Sequence, residues 1–432
     1  MQNITTVILA AGQSTRFKSN KSKIFHELAG LPIIEHVYKV AKQVSKNKIV
    51  FVCNKQNIKE IQNRFHDCKF VIQTHQNGTA DAILLTKKLI KTRNVLILFG
   101  DVPLLSLNSI KKLINNFSIN KSIGSMIAFV TNDPFGYGRI ISKNNKVVSV
   151  IEEINTNSKE KFINLCNSGI MLCNKKLLFS YINQISNKNK KKEKYLPDIF
   201  NIFHNTGNSF TFITSSEKEM LGINTISDFH KIDKIYQEQL KDKMINRGVM
   251  ILQPETVRLS YDTKIGKNSL IEPYVYIKTG VSIKRDVQIK SHTIIESSVI
   301  GKNTSVGPFA RIRPFSILGK EVKVGNYVEI KNSNIGDNCS ISHLSYIGDS
   351  VLGKNINIGA GTITCNYDGK IKNKTIIEDN VFIGSNSSLV APLTIGKNSI
   401  IGAGSVITKN IPKNKLAVGR SKLKISSKIL KK

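Results

Sequence analysis

Several features are missing from this 432-residue sequence, and each absence closes off a class of function. The six cysteines, at 53, 68, 166, 173, 339 and 365, form no CxxC pair and have no histidine cluster beside them. That argues against a zinc site and a disulfide framework, and for a reducing compartment. Long apolar runs are also missing. Near the N-terminus the apolar run covers only Val7 to Ala11, too short for a signal-peptide core or a membrane span. The expectation is a soluble, cytoplasmic protein with no membrane insertion. Acidic residues are scarce as well, 30 against 64 lysines and arginines, for a net charge of +34.

Such a charge brings nucleic acid to mind first. An electrostatic footprint should cluster, however, and these lysines are scattered beside many Asn and Ile residues. Drift toward Lys, Asn and Ile codons, with the charge spread over solvated faces, is the preferred reading, so no nucleic-acid partner is expected. A basic enzyme would still attract phosphorylated substrates.

At this length two domains are the default. In the first 225 residues, Thr6–Ala10, Ile49–Cys53, Phe70–Gln73 and Val95–Phe99 read as buried strands. Ile33–Val44, Gln56–Phe65 and Thr79–Ile90 carry helical spacing between them. This alternation implies an α/β, Rossmann-like domain with a mostly parallel sheet covered on both faces. Asn187 to Lys194 reads as a solvated loop. From Ser227 to Arg247, apolar residues recur every three or four positions, with Ser227 as N-cap and Gly248 as stop. This is the expected connector, over 227–248.

After Gly248 the period becomes six. Ile265, Ile271, Ile277, Ile283 and Ile289 keep it, as do Ile383, Leu389, Ile395, Ile401 and Ile407, and slips interrupt it between those runs. Hexads of this kind build triangular coils that stack into a prism with an aliphatic core. Glycines such as Gly266, Gly301, Gly336 and Gly384 directly follow an anchor, and are read as corners needing unusual backbone angles. Cys365–Lys374 breaks the period and should project as a loop. Flat prism faces favour side-by-side association.

Two regions carry chemistry. The first strand runs into L-A-A-G-Q-S-T-R-F at 9–17, which is neither a Walker A loop nor GxGxxG. Small residues there let backbone N–H groups approach a phosphate, and Arg16 and Lys23 add positive charge. The fourth strand ends in F-G-D-V-P, which leaves Asp101 beyond its carboxyl end, where a carboxylate suits Mg²⁺. In the coil, G-P-F-A-R-I-R-P at 307–314, N-Y-V-E-I-K at 326–331, S-H-L-S-Y at 342–346 and the run 357–369 interrupt bland repeats. His343 lies among these clusters, whereas His292 has no such company. A neutral imidazole can take a proton from an attacking amine. A coil histidine can equally be structural.

With these motifs the whole chain resembles the bacterial bifunctional N-acetylglucosamine-1-phosphate uridylyltransferase and glucosamine-1-phosphate N-acetyltransferase family. The resemblance implies a uridylyltransferase domain over 1–226, the connector helix, and an acetyltransferase domain over 249–432 folded as an all-β left-handed parallel β-helix. It implies UTP and acetyl-coenzyme A as co-substrates, a product that feeds peptidoglycan and lipopolysaccharide synthesis, and a homotrimer formed through the β-helix. In the first site, Leu9, Ala10, Ala11 and Gly12 would hold UTP with Phe99, Gly100 and Asp101. Arg16 and Lys23 would serve the triphosphate, and Gln73, Gln76, Gly78 and Thr79 the uracil. Gly138, Glu152, Asn167 and Asn224 would bind N-acetylglucosamine-1-phosphate, and Asp101 with Asn224 would hold Mg²⁺.

In the second site the resemblance makes His343 the general base, oriented by Glu329. Arg313, Lys331, Tyr346, Asn357 and Lys372 would hold glucosamine-1-phosphate. Ala360, Asn366, Tyr367, Ser385, Ala403 and Arg420 would line the acetyl-coenzyme A cleft, shared between neighbouring prisms. Departures from the family pattern fall at Ser14, Ser22, Phe99, Ala80 and Asp81 and leave the charged positions intact. The rival readings are a single-activity nucleotidyltransferase with a structural coil and a non-catalytic assembly protein. The short basic segment after Arg420 reads as a frayed tail.

Overall fold

A strand buried along its whole length has no face to give to water and must lie inside a sheet covered on both sides. Ile4–Leu9 (β1) and Ile49–Cys53 (β2) are of this kind. With the more exposed Lys69–Ile72 (β3) and the buried Asn94–Phe99 (β4) they form a parallel group in the order β3-β2-β1-β4. This computed structural model describes residues 3–426 apart from 121, 188, 190 and 191. Parts of two sequence expectations, the 187–194 loop and the tail after Arg420, therefore lie outside the described residues.

Helices Ile33–Ser45 (α1), Ile58–Arg64 (α2) and Thr79–Leu85 (α3) connect these strands. The third is shorter than its apolar pattern implied. Thr86 donates its hydroxyl to the Ile83 carbonyl at 2.7 Å, and the chain continues in turns.

The sheet is only half parallel. Beyond β4 come Gly124–Val130 (β5), Arg139–Lys143 (β6), Lys146–Ile151 (β7), Leu165–Asn174 (β8) and Phe210–Ser215 (β9), in the order β4-β8-β5-β9-β7-β6. Strand β8 runs antiparallel to both β4 and β5, and its register shifts between Asn167 and Met171. Each face has its own core, alternating along every strand: Ile8, Phe51 and Leu98 on one side, Val7, Val50 and Ile97 on the other.

The expected connector is the helix Ile226–Ile245 (α4), but its cap is not Ser227. Thr225 Oγ accepts the Asp228 N–H at 3.1 Å, and Asp228 accepts the Thr225 N–H at 2.8 Å. This reciprocal pair sets the start two residues earlier. Gly248, at φ 82°, ends the segment as expected, with the Val249 N–H on the Met244 carbonyl. The chain divides into two compact units within this helix, Met1–Ile235 and Tyr236–Lys432. Inside the second unit, Gln237 both donates to and accepts from the Leu259 backbone, at 2.8 and 3.0 Å.

From Met250 onward, short strands stack into three parallel sheets of ten, nine and eight strands, a parallel β-helix. The anchor aliphatics are buried and the residue before each is more exposed. The slips in the hexad pattern share one cause. The five-residue steps Ile295 to Ile300, Ile330 to Ile335 and Ile347 to Leu352 all end on the third sheet, so the same corner is shortened each time. The Cys365–Lys374 excursion projects as expected, closed by a bridge between Tyr367 and Lys372.

The glycines after the anchors do not serve the corners. Of those that follow an anchor directly, only Gly307 has a left-handed backbone, and the corners use Asn268, Asp286, Asn303 and Asn338 at φ near 60°. What these glycines allow is the close approach of stacked coils. A Cβ on Gly384 would lie 2.5 Å from the Ala403 nitrogen, and one on Gly359 2.5 Å from the Ser385 nitrogen. Gly384→Ala should therefore cost about 2 kcal/mol by overpacking, read as a lower Tm for the second unit. An unchanged Tm would contradict this account of the glycines.

Ladders of like side chains run along the corners. Asn338, Asn355, Asn380, Asn398 and Asn414 hydrogen-bond in series at 2.9–3.2 Å. Tyr274, His292, Phe309 and Tyr327 stack with ring centroids 4.7–5.3 Å apart. His292 is thus a rung of this stack.

Candidate active sites

In the first unit, parallel strands β1 and β4 end side by side, and the Gly100 N–H donates to the Leu9 carbonyl at 2.9 Å. Beyond their carboxyl ends opens a cavity of about 260 Å³. Leu9, Ala10, Ala11 and Gly12 form one wall, Gln73, Gln76, Gly78 and Thr79 another, and Lys23, Phe99 and Asp101 lie between them. The glutamines are held in place: Gln76 donates to the Ala11 carbonyl at 2.8 Å and Gln73 to the Gly78 carbonyl at 3.0 Å. Gly78 sits at φ 107° with the Lys194 carbonyl where a Cβ would be. No other residue type fits there.

Lys23 is nearly buried. Its ammonium lies 2.6 Å from Asp101 Oδ2 and 3.0 Å from Asn224 Oδ1. Asn224 is brought there by the Ile223 N–H, which donates to the Asp101 carbonyl at 2.9 Å. One carboxylate and one amide oxygen converging on a point make a hard, oxygen-only donor pair. It suits a cation that keeps most of its shell for water and phosphate. In this structure the ammonium holds that point, so a metal fits the pair only when Lys23 swings away from it. Among the described residues no group of three or more His, Cys, Asp or Glu could hold a metal.

Gly138, Glu152 and Asn167 form a second group. A Cβ on Gly138 would lie 3.6 Å from Glu152 Oε1 and 3.7 Å from Asn167 Cβ, and the Asn167 N–H donates to the Gly138 carbonyl at 2.8 Å. Gly100 and Asn224 are outside the cavity lining, and so is Arg16, exposed in the turn Thr15–Phe17. Glu193 and Tyr195 were missed. Their segment is stitched to the loop that carries Gln76 and Gly78 by Lys194, which donates its N–H to the Asn77 carbonyl at 2.7 Å and accepts from Ala80 at 3.0 Å. That end of the 187–194 run is a cavity wall, not a solvated loop. Its long-range backbone pairing left no mark in the sequence.

In the β-helix, His343 ends a strand of the first sheet, level with Asn326 one coil before it. Its Nδ1 lies 2.9 Å from Asn326 Oδ1. Glu329, expected to orient His343, instead pairs with Arg313 at 2.7 Å. The physical reason is register: Glu329 lies on the second sheet, beside Tyr346. Ala360, Ser385 and Ala403 occupy the position of His343, two residues past an anchor, in successive coils. The Asn386 N–H on the Ala360 carbonyl and the Gly404 N–H on the Ser385 carbonyl stack them. Arg420 ends the column on the Ala403 carbonyl at 2.8 Å. Small side chains thus leave one edge of the prism bare from His343 upward.

The second sheet carries Arg313, Lys331 and Tyr346, and the projecting loop brings Lys372 beside Lys331, whose hydrogen bond and positive charge lower the Lys372 pKa. Burial would push the Asp349 carboxyl up. Hydrogen bonds from Asn332 and Asn366 and the charges of Lys331 and Lys372 instead hold it below the usual range. Asn357 is on the first sheet with His343, so in one chain the expected sugar-phosphate residues occupy two different sheets. Tyr367 stands exposed on the projecting loop.

Known proteins match along this same division. Residues 6–168 match the MobA-like NTP transferase domain, 246–328 a GMPPB C-terminal domain, and 374–409 the bacterial transferase hexapeptide repeat. A protein named bifunctional protein GlmU from Bartonella quintana is 38% identical over 427 residues, 98% of this chain and 95% of that one. Its namesake from Buchnera aphidicola subsp. Schizaphis graminum is 41% identical over 433 residues, 95% of this chain and 93% of that one. The chain belongs to the GlmU family. It is a bifunctional transferase of UDP-N-acetylglucosamine synthesis, with one nucleotidyltransferase unit and one hexapeptide-repeat acyltransferase unit. Nucleotidyl transfer in the GlmU family is metal-dependent.

The departures from the GlmU pattern now have physical settings. Ser14 has φ 58°, which explains why glycine is usual there, and its hydroxyl accepts the Lys23 N–H at 3.4 Å. Phe99 packs where a Cβ on Gly169 would be, so the absence of a tyrosine hydroxyl leaves that contact intact. Ala80 is buried in α3 and bonds through its backbone. Nothing in the structure explains Ser22 or Asp81.

Proposed function

We propose that the β-helix acetylates glucosamine-1-phosphate and that the α/β unit then joins the product to UTP. The observation that carries this reading is the His343–Asn326 pair at the foot of the bare edge, which belongs to neither the asparagine ladder nor the aromatic stack of the corners. An amide oxygen only accepts, so Nδ1 carries the proton and Nε2 presents its lone pair. Nε2 takes a proton from the glucosamine amine as nitrogen attacks the thioester carbonyl. The new C–N bond forms, the C–S bond breaks, and coenzyme A leaves as its thiol. Arg313, Lys331, Tyr346, Asn357 and Lys372 hold the sugar phosphate, and Ala360, Ser385, Ala403 and Arg420, with Asn366 and Tyr367, hold acetyl-coenzyme A. Because those sugar-phosphate residues occupy two sheets, a homotrimer that apposes them from neighbouring subunits would complete the site.

In the α/β unit, Gln73, Gln76, Gly78 and Thr79 hold the uracil, and Gly138, Glu152 and Asn167 the sugar. Lys23 moves from Asp101 to the triphosphate, joined by Arg16 from the turn beside it. The sugar phosphate oxygen attacks the α-phosphorus in line and pyrophosphate leaves. Mg²⁺, held by Asp101 and Asn224, would supply positive charge to the phosphates. Domain limits of 1–226, 227–248 and 249–432 match this division of labour. No described helix is long and apolar enough to cross a membrane, and a cytoplasmic site of action fits the substrates.

Order of addition tests the reading. With glucosamine-1-phosphate, UTP and Mg²⁺ present, pyrophosphate should appear only after acetyl-coenzyme A is added and thiol is released. Pyrophosphate without thiol release would favour the single-activity rival. Asn326→Ala should lower kcat for acetyl transfer about tenfold with both KM values unchanged. A rise in KM alone would place Asn326 in binding instead.

A further inference from the structure

The Gly138–Glu152–Asn167 group, proposed above to hold the sugar, rests on a charged pair to which neither the sequence nor the family resemblance assigned a role. Arg139, the first residue of β6, is 2% exposed, among the largest fully buried side chains in the chain. Its Nη2 lies 2.6 Å from Glu153 Oε2, and its Nη1 donates to the Tyr137 carbonyl. The same Glu153 oxygen accepts the Gly136 N–H at 3.2 Å. Pair and backbone together pin the turn Pro134–Gly138, in which Gly136 adopts φ 85° and Tyr137 packs edge-on against Phe129. The turn ends on Gly138, against Glu152 and Asn167.

Stability alone is a poor reason for this arrangement. A buried ion pair contributes little over apolar side chains of the same volume. Here the guanidinium also keeps a buried Nε–H with no acceptor, which adds a cost. What the pair does provide is geometry. It fixes a glycine turn at the mouth of a strand pair, where backbone alone would leave Gly136 and Gly138 free to move.

We propose that Arg139 and Glu153 are positioning residues for the sugar half of the uridylyl site, setting the affinity for N-acetylglucosamine-1-phosphate and not for UTP. This rests on the functional reading above. Glu153→Ala should raise KM for N-acetylglucosamine-1-phosphate about tenfold, the scale of a lost hydrogen bond to a charged group. KM for UTP and the acetyl transfer rate should stay within about twofold, and Glu153→Gln, which keeps an acceptor, should recover most of the loss. An equal rise in both KM values, or none, overturns the proposal.

Amide hydrogen exchange on the substrate-free protein decides the clamp independently of turnover. Glu153→Ala should lose protection at Gly136 and its neighbours while β8 keeps its own. Unchanged protection there overturns the clamp. If the unaltered enzyme fails to consume UTP with this sugar phosphate, the functional reading fails, and the exchange result still rules on the clamp.

Discussion

His343→Ala should abolish acetyl transfer, by about 10³-fold in kcat, and leave uridylyl transfer intact. The side chain is exposed at a coil corner, so its removal leaves no cavity and breaks only the bond to Asn326. Loss of activity can then be attributed to chemistry. The assay is thiol release from acetyl-coenzyme A with glucosamine-1-phosphate, with pyrophosphate release from UTP and N-acetylglucosamine-1-phosphate as the internal control. Retention of a tenth or more of the acetyl transfer rate would mean that His343 is structural, as the stacked His292 is.

Asp101→Ala should do the reverse, lowering uridylyl transfer by about 10³-fold and sparing acetyl transfer. Two effects add. In the proposed mechanism the developing phosphate charge loses its metal carboxylate, and Lys23, nearly buried, loses the partner that holds it 2.6 Å away. Asp101→Asn separates them: it keeps a hydrogen-bond acceptor for Lys23 but removes the negative charge. If Asp101→Asn is as active as the unaltered protein, the carboxylate carries no metal. If it matches Asp101→Ala, charge is what the site needs.

Local and periodic features of the sequence were legible. Buried strands announced themselves as β-branched runs, because a doubly covered strand has no polar face to hide the signal. The hexads were equally plain, since every inward position faces the same narrow core. The first cavity could be read because most of its residues lie at the ends of two strands and in the loops beside them. Features that depend on distant pairing were not legible. Strand β8 crosses between β4 and β5 from about seventy residues beyond the first and about forty beyond the second. Glu193 and Tyr195 reach the cavity through backbone bonds that any side chain permits. Within one chain Glu329 meets Arg313 and not His343, because its neighbours along the chain differ from its neighbours across the coils, a difference that only register reveals. The glycines were correctly noticed and wrongly explained. Sequence marks where a Cβ is absent, and only the stack shows what the Cβ would strike.

The charge of +34 remains spread over both units. In the proposed mechanism Lys23 and the Lys331–Lys372 pair are the positive groups that meet phosphorylated substrates.

The central claim is that one chain carries two separate sites linked by a released intermediate. Mixing tests it most directly. Purified His343→Ala and Asp101→Ala proteins, each unable to convert glucosamine-1-phosphate to UDP-N-acetylglucosamine, are combined with acetyl-coenzyme A, UTP and Mg²⁺. The account predicts that the mixture makes UDP-N-acetylglucosamine, because N-acetylglucosamine-1-phosphate from one variant feeds the other. If both variants remain folded and the mixture stays inactive, the two residues serve a single site and the account is wrong.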